Sequence, residues 1–381
     1  MPSSPHTSSP ASSAAFDISV VIPVFKAGRF LRRCVESVLA QPQVREVILV
    51  EDGSPDDSLE VGRKLAAGHP GRVRLVQHPD GGNHGAGASR NLGAEIATSR
   101  FLAFLDADDY YLPGRFARDA DVFAAQPDAQ GVYNALGTAF EDEAGRAWYR
   151  KSGFPELTTM KRAIAPSDLF FAMNPIGAQG RFSFDALTLR REAFMQSPRF
   201  GNLKIGEDTL LLVQMALLLR LYPGSIHQPV ALRGVHGGNR VQDLKAVRAG
   251  TDQLFRALEA WIETAPATPR HRRALWLAHL SKAASRAEVR NILRNHPALL
   301  LHPATPFTLL RWTLCRRYPD DPLLPGLRRS RPSRVSCRNA SPGGHTGERG
   351  KPQAGASGQK SPASRPRPPH AMPENRHLPP P

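Results

Sequence analysis

Chemistry in this chain is concentrated where carboxylates cluster. The segment LDADDYY places Asp106, Asp108 and Asp109 at the end of a short apolar run. Three carboxylates so close repel one another and resist desolvation unless a cation or hydrogen-bond donors compensate them. A hard divalent ion, Mg²⁺ or Mn²⁺, does this while taking its other ligands from substrate phosphates. A solvated turn with a helix cap is the other reading of the same three residues. An EF-hand is excluded, because its turn glycine would fall at Tyr111 and its last ligand at Ala117. A second acidic pair, Glu207 and Asp208 in GEDTLL, precedes a strongly apolar helical stretch, where acidic residues also suit a helix start. RGVHGGNR offers His236 between Arg233 and Arg240.

The elements that must position these groups follow from the hydrophobic pattern. ISVVIPV (Ile18 to Val24), EVILVE (Glu46 to Glu51), VRLVQ (Val73 to Gln77) and FLAFLD (Phe101 to Asp106) read as strands. Helix-period segments separate them: RFLRRCVESVLA, DDSLEVGRKLAA with Ser54 or Asp56 as its cap, and GASRNLGAEIATS. Apolar strands alternating with helices predict right-handed βαβ units and a doubly wound, mostly parallel α/β sheet. Ligands bind beyond the carboxyl ends of such strands, here Pro23 to Lys26, Glu51 to Ser54 and Asp106 to Asp109. Residues 131–201 are less regular, with one strand expected over Phe184 to Leu189 and Asp109 expected as a helix cap or a support behind the metal. After residue 240 the chain is expected to be helical. Its last helical segment, FTLLRWTLCRRY, sets apolar Phe307, Leu309, Leu310, Trp312 and Leu314 beside Arg311, Arg316 and Arg317. That composition suits a membrane interface, and it equally suits packing onto the main domain.

Composition bounds the rest. With 381 residues and 41% hydrophobic content the chain can bury a large core. Three cysteines with no zinc-site spacing exclude a disulfide framework and favour a reducing compartment. The start, MPSSPHTSSPASSA, lacks the charge and apolar run of a secretory signal, and the longest apolar stretch, Leu210 to Leu221, carries Gln214 and Arg220. The expected location is therefore cytoplasmic, with peripheral contact at the inner face of the membrane compatible. The net charge is +16, of which +9 falls between Arg328 and Pro381, a Pro-, Gly-, Ser- and Arg-rich stretch. That stretch has too few large apolar side chains to repay ordering, so a disordered basic tail is expected over 321–381, as is a disordered start over 1–16. Between them lie a half of alternating strands and helices (about 17–110), a less regular half (about 111–240) and a helical region (241–320).

Several nucleotide and hydrolase motifs are absent. There is no G-x-x-x-x-G-K-[ST], no G-x-G-x-x-G after the first strand, no G-x-S-x-G and no H-E-x-x-H. What remains is an ordered set: VVIPVF, VILVEDGSPDDS, GASRNLGAEIA, FLAFLDADD, GEDTLL and RGVHGGNR, from about Ser19 to Arg240. This set resembles the family 2 glycosyltransferases, inverting nucleotide-sugar enzymes of the GT-A fold.

The resemblance implies a role for each residue. Pro23 and Phe25 would lie beside the nucleotide base, with Phe25 in the place of the usual Tyr, and Asp52 would accept a hydrogen bond from the base. Glu51 stands where the family has an aspartate, and Gly53 would let the backbone approach the ligand. Arg90 would bring positive charge to the nucleotide, Asp106 would contact the ribose or the metal indirectly, and Asp108 would bind the metal (Mn²⁺ or Mg²⁺). His236 would join the metal or order its loop, and Arg233 and Arg240 would screen the diphosphate. Asp208 would be the catalytic base, with Glu207 binding acceptor or supporting the loop. The expected partners are a nucleotide-sugar donor, a UDP-sugar, and a glycan or lipid-linked acceptor, with no specific nucleic acid. Two other classes fit parts of the sequence. A nucleotidyltransferase needs a Gly-rich basic loop after the first strand, and a nucleic-acid-binding protein would rely on the tail.

Overall fold

The computed structural model describes residues 16–201, 203, 205–238, 244–283 and 285–317. The expectations for the first residues, for Arg240 and for the basic tail lie outside them. In chain order the elements are β1 (Ile18–Val24), α1 (Gly28–Leu39), β2 (Val44–Glu51), α2 (Ser58–Gly68), β3 (Val73–Gln77), α3 (Ala86–Ile96) and β4 (Phe101–Phe104). Then come β5 (Tyr110–Tyr111), α4 (Ala117–Ala125), β6 (Gly131–Tyr133), β7 (Ala135–Phe140), α5 (Glu143–Ser152), α6 (Leu169–Ala172), β8 (Leu187–Arg190) and α7 (Arg191–Gln196). The chain continues through α8 (Glu207–Leu218), β9 (Leu221–Pro223), β10 (Pro229–Val235), α9 (Leu244–Ile262), α10 (Pro269–Lys282), α11 (Arg286–Asn295) and α12 (Ala304–Arg317).

The apolar runs of the first hundred residues become the parallel strands β3-β2-β1-β4, and the sheet goes on through antiparallel β8 to β6 and β9. Side chains alternate across a strand, so β1 serves two cores. Ile18, Val20, Ile22 and Val24 join Leu31, Cys34, Val35 and Val38 of α1 on one side. Val21 joins Ile48, Val50, Leu102 and Phe104 on the other, with residues of α8, α9 and α10. A sheet covered on both faces explains why these strands are apolar throughout. The helical region after residue 240 thus shares the sheet's core, through Phe255, Leu258, Ile262, Leu275 and Ala278. Only α11, α12 and the end of α10 gather around a separate small cluster with Leu280, Val289, Ile292 and Leu299.

The strand expected at Phe184 starts late. Residues Phe184–Ala186 form a 3-10 turn, and β8 begins at Leu187. The Asp185 carboxylate accepts hydrogen bonds from the Asp106 amide (3.0 Å) and the Ser183 hydroxyl (2.7 Å), holding the chain in a turn there. A second sheet, β5-β10-β7, crosses the half after residue 110. Asp109 immediately precedes β5, so it is not the helix cap expected from sequence; its carboxylate instead accepts the Gly234 amide of β10 at 2.9 Å. A Cβ on Gly234 would lie 2.3 Å from the Asp108 carbonyl oxygen, so only glycine lets β10 lie against the carboxylate segment. Among the described residues, no helix is long and apolar enough to cross a membrane.

Candidate active site

The strand ends converge as the topology requires. At the end of β1 the chain turns through Lys26 at φ 54°, a region that residues other than glycine seldom occupy, and Phe25 is left 42% exposed. Pro23 is buried inside β1 opposite Val50. Glu51 is buried and structural: it accepts from the Ser54 amide (2.5 Å) and from Gln77 Nε2 on neighbouring β3 (2.7 Å). Asp52 is also buried, and both of its oxygens shape the loop before α3. Oδ1 accepts the His84 amide (2.7 Å), and Oδ2 accepts the Gly85 amide (2.9 Å) and Asn83 Nδ2 (3.0 Å). Gly53, at φ 68°, makes its close approach to this same loop: a Cβ there would lie 2.9 Å from the Gly82 carbonyl carbon.

Arg90 links the two acidic segments. From the first turns of α3 its guanidinium donates to Asp106 Oδ1 at 2.5 Å and to Asp208 Oδ1 at 2.9 Å, while packing over the Phe200 ring. Arg90 is 3% exposed, whereas the Asp106 and Asp208 side chains are 40% and 44% exposed. A buried cation beneath two open carboxylates is no surface salt bridge. Burial opposes its charge, but Asp208, Asp106 and Asp185 outweigh burial and raise the pKa of Arg90.

Sequence reasoning asked how three neighbouring carboxylates are compensated, and each has a donor. Arg90 serves Asp106, the Gly234 amide serves Asp109, and Asp108 Oδ2 lies 3.2 Å from His236 Nε2. Asp185, which sequence reasoning missed, is buried and completes a group with half-exposed Asp106 and buried Asp109 whose ligand atoms lie within 4.8 Å of one another. Burial first, and then Asp106, pushes the Asp185 carboxyl up to about 6. Burial, and then Asp185, pushes Asp109 well up. The signal for Asp185 was a lone acid inside the apolar run FSFDALTL, which needs a buried reason to be there. A second missed pair, Arg33 and Glu141 (2.6 Å), braces the segment from α1, and Arg33 Nη2 also donates to the Asp108 carbonyl at 3.4 Å.

His236 follows β10 and stacks on Phe30 at 4.7 Å. Asp142, the N-cap of α5, accepts the Gly237 amide (3.1 Å) and so fixes the turn after it. Two octahedral ligands about 2.1 Å from one ion sit about 3 Å apart, so Asp108 and His236 fit a divalent metal by position. The proton does not fit yet. His236 Nδ1 accepts the Gly238 amide (3.0 Å), which puts the ring hydrogen on Nε2, facing Asp108. Arg29 Nη2 also lies 3.4 Å from Nδ1, so ligation through Nε2 requires both donors to leave.

The phosphate loop that a nucleotidyltransferase would carry after β1 is not built. A Cβ on Gly28 would lie 1.9 Å from Asp57 Oδ1, and the Gly28 amide donates to Asp56 at 3.4 Å, so a carboxylate already meets the start of α1.

Residues 19–184 match the description Glycosyl transferase family 2. They form a family 2 glycosyltransferase domain. Its curated relatives include the uncharacterized glycosyltransferase YibD of Escherichia coli, 35% identical over 131 residues, or 32% of this chain and 37% of that protein. The succinoglycan biosynthesis protein ExoU of Rhizobium meliloti is 37% identical over 105 residues, 28% of this chain and 30% of its own. The aligned part thus spans about a third of the curated relatives' length. Among solved structures, Staphylococcus aureus TarS 1–349 in complex with UDP-GlcNAc superposes with a TM-score of 0.52 at 17% identity, over 73% of this chain and 79% of that one. The likeness carries the GT-A fold. Asp208 and His236 lie beyond the matched residues of the family 2 domain, yet Arg90 and Asp108 inside it bind them directly.

Proposed function

We propose that this protein transfers a sugar, with inversion, from a nucleotide diphosphate donor, a UDP-sugar, to a hydroxyl of a glycan or lipid-linked acceptor in cell-surface polysaccharide synthesis. The observation that carries the reading is Arg90 holding Asp106 and Asp208 on one guanidinium. Donor-side and acceptor-side carboxylates thereby meet at one point. ExoU, named for succinoglycan biosynthesis, and TarS, bound to UDP-GlcNAc, support the substrate classes.

In this reading Phe25 stacks on the base at the mouth of β1, with Pro23 fixing the backbone before it and Asp52 shaping the loop at the base's edge. Asp106 faces the ribose. Asp108 would hold a divalent ion, and His236 would be its second protein ligand with Nδ1 released from the Gly238 amide and Arg29. When bound, the ion neutralises charge building on the departing diphosphate. Arg233 lies on the same side: burial lowers its pKa, but Asp109 and Asp185 outweigh burial and keep it charged. Asp208 Oδ1 stays on Arg90, leaving the other oxygen to take the acceptor hydroxyl's proton as the hydroxyl oxygen attacks the anomeric carbon opposite the nucleotide. Glu207, one residue earlier at the start of α8, contacts acceptor. Peripheral membrane contact and an inner-face location belong to the same reading, since lipid-linked acceptors reside there.

The test is turnover of a panel of UDP-sugars by the full chain with Mn²⁺, read as UDP release together with the anomeric configuration of the product. A retained configuration, or no turnover of any nucleotide sugar, would refute it.

A further inference from the structure

Among the described residues five large apolar side chains are exposed, and four of them fall in one stretch: Leu300 (61%), Leu301 (91%), Phe307 (74%) and Leu310 (56%). The fifth is Phe25 in the candidate site. Leu300 and Leu301 end the 3-10 turn Pro297–Leu301 that leads into α12, and Phe307 and Leu310 are three residues apart on that helix, hence on one face. The opposite face is accounted for. Leu309 and Trp312 pack on the small cluster of α10 and α11, and Trp312 Nε1 donates to the Ala283 carbonyl at 2.8 Å. A helix whose inner face already has its core has no folding reason to place phenylalanine and leucine outside.

The segment that carries this ridge is basic in sequence. Residues 269–317 contain ten Lys/Arg and one acid, Glu288. Arg286, Arg290 and Arg294, spaced by four along α11, form an exposed row and make no ion pair among the described residues. Surfaces where two protein copies meet are depleted of charge at their centre and need about 1,000 Å² or more, which four side chains do not supply. Two copies would also bring two basic rows together. A bilayer with anionic lipid asks for just this combination: a few apolar side chains to enter the headgroup boundary and basic side chains to meet its negative potential.

We propose that the outer face formed by the turn 297–301 and α12, together with the arginine row of α11, docks this protein on an anionic lipid bilayer. The docking does not depend on the transfer chemistry, because none of these residues belongs to the candidate site.

Flotation of the full chain with phosphatidylcholine vesicles, with and without phosphatidylglycerol, tests it. Binding is expected only with phosphatidylglycerol and should weaken as salt rises. The triple variant Leu301→Ser, Phe307→Ser, Leu310→Ser and the triple variant Arg286→Glu, Arg290→Glu, Arg294→Glu should each lose at least about tenfold in vesicle affinity. Because every changed side chain is exposed, both should keep the wild-type melting temperature and UDP binding. Vesicle binding unchanged in the apolar variant would overturn the proposal and leave the basic tail as the anchor. Wild-type protein that ignores vesicles would overturn it too. So would a wild-type dimer that the apolar variant converts to monomer in sedimentation, since the face would then pair with a second copy. Failure of sugar transfer with vesicle binding intact would count against the proposed function alone.

Discussion

At the scale of single residues, Asp208 carries the sharpest test. Asp208→Asn keeps an acceptor for Arg90 but removes the basicity, so donor binding should persist while transfer falls by about 10² to 10⁴ at saturating substrates. Glu207→Gln should cost much less. The reverse order would exchange the two roles, and full activity in both would put the base elsewhere. Asp108→Ala should abolish the Mn²⁺-dependent part of UDP affinity while the fold survives, since that carboxylate is partly exposed. Calorimetry of UDP with and without Mn²⁺ reads this directly, and affinity that still depends on the metal would remove Asp108 from the site. The acids on strand ends were legible because their positions follow from the pattern of strands. Arg90's partners were not: Asp106 is 16 positions away and Asp208 is 118, and nothing local announces a shared guanidinium. Asp52, expected beside the base, also anchors through its oxygens a loop whose path the sequence does not reveal.

Among the elements, α3 sets Arg90 in place and Gly93 sets α3. A Cβ at Gly93 would lie 2.3 Å from Val21 Cγ1 in the central strand, so Gly93→Ala forces helix and sheet apart. The expected cost is about 1–3 kcal/mol of stability by thermal or urea denaturation, with a fall in transfer as Arg90 shifts. Wild-type stability in that variant would mean that α3 yields easily. In the helical region Glu259 of α9 accepts from His279 of α10 at 2.7 Å and pairs with His296 after α11 at 3.5 Å. Burial acts to raise its pKa, but the two histidines outweigh burial and bring it to about 2. A carboxylate held below its unfolded value of about 4.3 adds stability above that pH, and this is lost as pH falls toward 2. Glu259→Gln should therefore be less stable at pH 6, by on the order of 1–2 kcal/mol after solvent screening, and should lose less on acidification. Urea titrations at both ends of that range would show it, and parallel curves for the two proteins would exclude the histidine contacts as the cause. The first four strands and three helices were readable because each is long and periodic. Strands such as Gly131–Tyr133 and Leu221–Pro223 are three residues long and hold their place by pairing, which leaves no period to read.

Over the whole molecule, the charge of +16 is shared between +9 from Arg328 onward and +7 before it. Ending the chain after Leu327 should leave transfer to a soluble acceptor near wild type, because every residue assigned to the site lies earlier. A large loss of turnover in a monodisperse truncated protein would place part of the machinery in the tail. The single core shared by sheet, α8, α9 and α10 was hidden from the sequence, which showed only a change from alternating strands and helices to helices alone. Since Asp106 and Asp208 end on the same guanidinium, the chain between them leaves and returns to one fixed point. That stretch is no detachable loop, since β6 and β8 run in the same sheet as β4 and Asp185 holds the Asp106 amide. The guanidinium therefore works as a clasp: cut either carboxylate from it, and a length of chain woven through the sheet itself is left unfastened at one end.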